Sequence, residues 1–317
     1  MSNGEAATLA AARRAPVRTS VSPGRLLLRR FLRHRVAVAS GVLLLLLALF
    51  SLAAPLAAAW LGHDPNAVDL FNRFAPASAS HPLGTDELGR DLLLRLLHGG
   101  RVSLFVGLVG ALAAALIGTF IGLIAGYVGG RTDAFLMRLT DAVIALPLLP
   151  LLIVLAAVDL DKLGVPPAIA QSEAVSLYRI LLIVALVGWT TVARLVRGTT
   201  LSVRERDFVR AAVAQGAGPV RIMSRHVLPN VVSPIIVATT LSVGNVILTE
   251  SVLSFLGLGI QPPLPSWGNM LTNAQELIWQ APALAIWPGS LIFATVIAFN
   301  FVGDGLQDAM DPRADEP

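Results

Sequence analysis

Long apolar stretches alternate with short polar segments along most of this chain. Six stretches approach or exceed the roughly 20 residues a helix needs to cross a hydrocarbon core: Val36–Trp60, Val102–Val128, Leu139–Val158, Leu177–Ala193, Val231–Leu258 and Ala283–Val302. None alternates apolar with polar residues as a barrel strand does. Lipid also leaves unpaired backbone groups without partners, so the pattern predicts helices. One polar interruption is out of scale with the rest: Arg204–Asn230, RERDFVRAAVAQGAGPVRIMSRHVLPN, between the fourth and fifth stretches. It predicts a short helix over Arg204–Gln215, stopped by Gly216 as a left-handed cap, then a turn at Gly218-Pro219. A second short helix over Val220–Val227 leads through Leu228 and Pro229 into the fifth stretch. Ala211 and Ala212 are expected to leave the first of these helices nearly bare, so that another protein can approach it closely and cover what the chain itself does not bury.

Composition and charge turn these stretches into an oriented membrane protein. The 317 residues are 55% hydrophobic and 14% charged, with a mean hydropathy of +0.72, against roughly 25% charged residues in soluble domains. Arg13, Arg14, Arg18, Arg25, Arg29, Arg30, Arg33 and Arg35 precede the first stretch, which puts the N-terminus in the cytoplasm by the positive-inside rule. Six crossings then return Arg131, Arg138, the Arg194–Arg225 segment and Arg313 to the same side. Both termini and the polar island are therefore expected in the cytoplasm. The Arg25–Arg35 cluster reads as a topogenic flank, with an anionic-lipid or partner site as the alternative. Residues 1–24, rich in Ala, Ser, Pro and Gly, are expected to be disordered, and the first apolar run is not a cleaved signal peptide. The chain divides accordingly into a basic leader (1–35), a first membrane helix with its outer segment (36–101), a five-helix core (102–303) containing the cytoplasmic loop 199–230, and a tail (304–317). The pI near 10.5 thus reports orientation, not nucleic acid, since no basic face interleaved with aromatics accompanies it. With no cysteine, disulfides, thiolate metal sites and thiol nucleophiles are excluded.

Within the stretches, Gly110, Ala114, Gly118, Gly122 and Gly126 form a ridge of small residues that lets another helix come close. Pro147 and Pro150 in the third stretch, and Pro229 and Pro234 in the fifth, predict kinks or entry points. Asp141 is expected to pair with Arg138 one turn away. Glu250, with Asn245 five residues before it, is either a functional intramembrane carboxylate or one satisfied by hydrogen bonds between helices. On the outer side, Thr85 and Asp86 are expected to cap a short amphipathic helix ending at Gly99-Gly100. The Pro-rich Gly259–Gly268 loop should be rigid.

Catalytic signals are missing. The lone lysine, Lys162, is flanked by Asp161 and Leu163, so there is no Walker A phosphate loop. His34, His63, His81, His98 and His226 never fall at ligand spacing, and neither H-E-x-x-H nor G-x-S-x-G occurs. No metal or cofactor is expected. A secondary transporter predicts internal repeats and a midplane ion site, and a channel predicts a filter or charged ring; neither pattern is recognisable. Those two classes remain the alternatives to a membrane pathway powered by another protein.

At the island, Ala211, Ala212, Gly216, Leu228 and Pro229 resemble the EAA loop of permease subunits of ATP-binding cassette (ABC) importers. Arg210 stands where that loop usually has Glu, and His226 where it usually has Ile. The resemblance narrows to the second, C-type permease of the dipeptide/oligopeptide/nickel branch on five further blocks: HPLGTDELGRD (81–91), Asp133–Pro147 with its MRxxD core, WTxxARxVRG (189–198), SFLGLGIQPPxPSWG (254–268) and GDGLQDAMDPR (303–313). It implies an all-α permease of six transmembrane helices in a prokaryotic inner membrane, paired with a second, homologous permease. Two cytoplasmic ATPases and an external solute-binding protein complete the importer. Substrates in that branch include di- and oligopeptides, nickel chelates and glutathione-like compounds. The resemblance further implies no nucleotide site in this chain, with Arg210, Ala211, Ala212, Gly216, Leu228 and Pro229 as the ATPase-coupling element. Asn245 and Glu250 are the candidate pathway residues.

Overall fold

The computed structural model describes residues 23–158, 162, 164–166 and 172–310. Expectations for residues 1–22 and for Arg313 lie outside them. The described chain is all helical: α1 (Pro23–Arg33), α2 (Arg35–Leu52), α3 (Ala54–Leu61), α4 (Leu92–Val128), α5 (Gly130–Ala145), α6 (Leu148–Ala156), α7 (Glu173–Arg204), α8 (Asp207–Ala214), α9 (Pro219–Ile222), α10 (Leu228–Phe255), α11 (Ala274–Leu277) and α12 (Ala283–Met310). Among the described residues, five helices are long and apolar enough to cross a membrane. A sixth span is added if α5 and α6, bent by 87° to each other, count as one.

The largest helix–helix contact is α4 on α7, and the ridge of small residues makes it. A Cβ on Gly118 would lie 2.5 Å from the Trp189 carbonyl oxygen, and one on Gly122 would lie 2.6 Å from that of Ala193. One on Gly126 would lie 2.7 Å from the Thr200 side chain and 2.9 Å from the Arg197 carbonyl oxygen. The two backbones touch along this line, so dispersion between them replaces the hydrophobic drive that lipid removes. Helix α10 completes the core: Val243, Val246 and Ile247 pack with Val106 and Ala111 of α4 and with Ile180, Ile183 and Val184 of α7. Helix α12 lies on the outer side of α10 and also packs on α2.

Several boundaries depart from the apolar pattern for local reasons. The first stretch is two helices, because the chain breaks at Ala53 and Pro55 sits in the first turn of α3, where a missing amide costs nothing. Helix α4 begins at Leu92 and runs unbroken through Gly99 and Gly100 for 37 residues. Those two glycines do not cap a helix. They make room for the loop above, since a Cβ on Gly99 would sit 3.1 Å from Ser266 and one on Gly100 2.8 Å from the Trp267 ring. The cap of α4 is Asp91, whose carboxylate accepts from the Leu94 amide at 2.8 Å. Thr85 and Asp86, expected as caps, instead close the preceding loop. The Thr85 hydroxyl donates to the Asn72 carbonyl, and Asp86 accepts from the amides of Leu88 and Arg90. The third stretch breaks at Pro147, which stands extended before α6, whereas α10 continues through Pro234.

Candidate functional site

The polar island folds as a strap across one end of the bundle. Helix α7 runs well past its apolar stretch to Arg204, whose guanidinium donates to the Gly126 carbonyl at 2.8 Å. That bond satisfies a carbonyl in the last turn of α4, at the negative end of its dipole. Helix α8 follows. Gly216 takes φ +81°, a conformation that costs other L residues about 1–2 kcal/mol. Pro219 opens α9, and a single π turn, Met223–Val227, delivers the chain into α10.

Each short helix is pinned by a few apolar side chains. Val209, Ile222, Val227 and Val231 are buried together with Val192 and Val196 of α7. Ala212, three residues after Val209, lies on the same buried face. The expectation that both alanines lie bare is thus corrected: Ala211 is exposed and Ala212 is turned inward. The outward face comprises Phe208, Arg210, Ala211, Val213, Gly216 and Val220, with Val220 75% exposed. Leu228 is half-buried and Pro229 is exposed where α10 begins. Arg210 reaches back 3.0 Å to Glu205, and this hydrogen bond holds the Glu205 carboxyl below its ordinary pKa.

Behind the strap, α5 is clasped to α7 by two ion pairs. Arg197 grips both carboxylate oxygens of Asp133 at 2.5 and 2.6 Å, and Arg194 meets Asp141 at 2.6 Å. The partner of Asp141 is therefore Arg194 on another helix, not Arg138 one turn away. Nothing in local spacing signals such a pairing, because it arises from packing between segments 53 residues apart.

Beyond the Asp141–Arg194 pair lies a cavity of about 490 Å³ between α4, the α5–α6 break, α7 and α10. Its polar lining is uncharged: Thr190 and Thr191 from α7, and Ser242, Asn245 and Thr249 from one face of α10. Asn245 is on this wall and exposed, but Glu250 is not brought to it. Five residues along a helix is a turn of roughly 140° beyond one full circle, which carries Glu250 to the opposite, fully buried side. There its carboxyl accepts from Ser254 at 2.7 Å and from Ser103 at 3.3 Å. Those hydroxyls in turn accept the amides of Ile260 and Trp267. Two amide–hydroxyl–carboxyl relays thus pin the 256–268 loop to the helices. Of the two sequence readings of Glu250, these bonds match the carboxylate satisfied between helices; Ser254, four residues on, was visible in the chain, whereas Ser103, 147 residues away, was not.

Of the outer histidines, His81 stacks on His63 with ring centroids 5.0 Å apart and bonds Asp91 at 2.9 Å. Among the described residues no group of three acidic or histidine side chains is arranged to hold a metal.

Comparison with known proteins decides the family. Residues 118–316 match the profile described as the binding-protein-dependent transport system inner membrane component, a match spanning more than half of the chain. The chain belongs to this permease family. Residues 22–77 match the N-terminal transmembrane domain of oligopeptide transport permease C, which makes this permease a C-type subunit of the oligopeptide/dipeptide/nickel branch. It is 40% identical to the glutathione transport system permease protein GsiD of Pectobacterium atrosepticum over 97% of this chain and 96% of that one. It is 38% identical to the dipeptide transport system permease protein DppC of Alkalihalophilus pseudofirmus, covering 93% and 91%. The oligopeptide transport system permease protein OppC of Bacillus subtilis is 35% identical, covering 90% and 88%. The permease is thus a polytopic inner-membrane subunit of an ABC-type importer, a transport component and not an enzyme.

Proposed function

We propose that this permease forms half of the translocation pathway for di- or oligopeptides, and that the strap from Asp207 to Val227 couples it to an ATPase. The observation that carries this reading is the strap's two-sidedness. Its inner face is locked into α7 through Val192 and Val196, while its outer face leaves Val213 and Val220 in the open, at 53% and 75% exposure. A rigidly mounted surface with unburied apolar side chains suits a lasting protein contact. In this reading the α5–α6 pair is one broken span, giving six, and the strap and both termini face the cytoplasm. The leader is 1–35, the first helix and outer segment 36–101, the five-helix core 102–303, and the tail 304–317. A second, homologous permease, two ATPases and an external solute-binding protein complete the assembly.

Closure of the ATPase pair on ATP would push α8 and α9. Because Val227 and Val231 belong to the same apolar cluster as Val209 and Ile222, the push passes directly into α10, which carries Ser242, Asn245 and Thr249 along the cavity. Uncharged amide and hydroxyl groups there suit a peptide backbone, since they pair with its amides without selecting a side-chain charge. ATP and loaded binding protein act together only if both favour the same state. The test is co-purification with the ATPases and uptake of a labelled dipeptide. Uptake that survives a nucleotide-binding mutation in those ATPases defeats the reading, and uptake of nickel chelates in place of peptides replaces its substrate.

A further inference from the structure

A second large groove lies at the other end of the molecule, away from the strap and the pathway cavity. It holds about 600 Å³ and is walled by Ala48 and Leu52 of α2 and by Phe105 and Leu108 of α4, with Pro265 above. Phe105, Leu108 and Leu52 are 48%, 50% and 65% exposed, so the apolar wall is uncovered within this chain. Its only cationic or imidazole groups are Arg101 and His98, one turn apart on α4 and together at one end.

Three further observations bear on the occupant. Arg101 is exposed and has no ion pair among the described residues, whereas Arg90, Arg95, Arg194 and Arg197 all have acidic partners. The His98 ring lines the same end of the groove, although its Nε2 atom is turned inward, buried and without a hydrogen-bond partner. Depth completes the picture. No charged residue occurs between Arg101 and Arg131, and from Arg101 to Val128 helix α4 rises about 40 Å. That matches a bilayer with both of its headgroup regions, about 40–45 Å thick. With the strap at one membrane surface, Arg101 stands at headgroup level on the other.

We propose that this groove is a phospholipid site, in which Arg101, with the His98 ring beside it, holds an anionic headgroup phosphate and one acyl chain lies between α2 and α4 against Phe105 and Leu108. Arginine supplies charge-assisted donors to phosphate, and the apolar wall below accepts the chain. An apolar helix would meet only the wall, whereas a phospholipid meets both the wall and the cationic end, so lipid is the better fit. The site is independent of the coupling strap and of the substrate.

The experiment is native mass spectrometry of the whole importer in detergent, titrated with dioleoylphosphatidylglycerol or dioleoylphosphatidylcholine. The expected result is one retained phosphatidylglycerol per copy of this chain, displaced about tenfold less readily than phosphatidylcholine. Arg101→Gln should abolish that preference. Ala48→Phe, which fills the groove and leaves the charges intact, should abolish retention of both lipids. Arg73→Gln, a control outside the groove, should change neither. The proposal is overturned if the wild-type importer retains no such lipid, or if Arg101→Gln and Ala48→Phe bind it as the wild type does. It also fails if a photo-cross-linker at position 108 labels the second permease and not lipid.

Discussion

Position 211 opens to solvent while position 212 closes on the chain's own core, and this one-residue difference determines how the strap can be probed. Ala211→Trp adds bulk only to the outward face. The variant should insert and resist protease like the wild type yet lose ATPase association in a pull-down; normal association would remove Ala211 from the docking surface. Ala212→Trp forces an indole into the face shared with Val209, an overpacking that costs about 1–3 kcal/mol, and so reports stability more than docking. At Gly216 a Cβ meets nothing within 4 Å in the free chain, so only the positive φ penalises substitution there. Gly216→Asn, which tolerates that conformation, should retain strap folding and transport better than Gly216→Leu; equal uptake by both would refute the conformational argument. Arg210 has its own partner in Glu205. Since the folded Glu205 pKa is depressed, the stabilisation is fully present above the unfolded value of about 4.3 and is lost as pH falls through the lowered one. Arg210→Glu sets two carboxylates face to face and should weaken coupling at neutral pH. The exchange Glu205→Arg with Arg210→Glu should recover it if the pair matters, measured as ATPase stimulation by substrate.

Between α4 and α7 the small-residue ridge works as an element, since it decides how near two whole helices lie. Gly122→Leu would drive a side chain into the Ala193 carbonyl, and because the obstacle is backbone it cannot step aside. Loss of folded protein is expected in size-exclusion chromatography. Gly289→Leu in α12, where a Cβ meets nothing within 4 Å, should be tolerated; equal tolerance at position 122 would mean the helices can separate. This ridge was legible in the chain because packing of this kind leaves a four-residue period. Its partner was not, since Trp189 and Ala193 face it with backbone atoms that any residue type supplies. The start of α4 was misplaced for a related reason. Gly99-Gly100 reads as a stop in isolation, and only the loop carrying Ser266 and Trp267 explains why glycine stands mid-helix. Glu250 shows the same limit. Its buried position could be read from its place in an apolar stretch, but its assignment to the pathway could not be decided until Ser103, 147 residues away, was seen to donate to it. Glu250→Leu should therefore loosen the 256–268 loop, detected as faster proteolysis there, by an amount of order 1–3 kcal/mol for the hydroxyl donors of Ser103 and Ser254 left without their acceptor. An unchanged loop would return Glu250 to the pathway candidates.

Across the whole molecule the strap, the cavity and the bent α5–α6 pair are joined element to element, as a proposed coupling route needs. The strap is continuous with α10, α10 lines the cavity with Asn245, and the opposite wall is the α5–α6 break at Pro147, held to α7 by Arg194–Asp141 and Arg197–Asp133. Alternating access requires that some contact around the cavity open in one state and close in the other. The Arg194–Asp141 pair is the best placed: it sits one helical turn from Ile144 and Thr190 in the cavity wall, and both of its side chains are half exposed, at 50% and 58%. An exposed pair adds little stability, so breaking it presents a small barrier. The absence of cysteine from the chain makes the test clean. In the importer carrying Asp141→Cys and Arg194→Cys, a short bifunctional thiol reagent should tether α5 to α7 and stop peptide uptake while leaving ATPase association intact. A cleavable reagent should restore uptake to that of the unlinked variant when reduced, and each single substitution should be insensitive to the reagent. If the tethered importer transports at the unlinked rate, α5 and α7 move as one body through the cycle, and the opening must lie instead between α10 and the second permease.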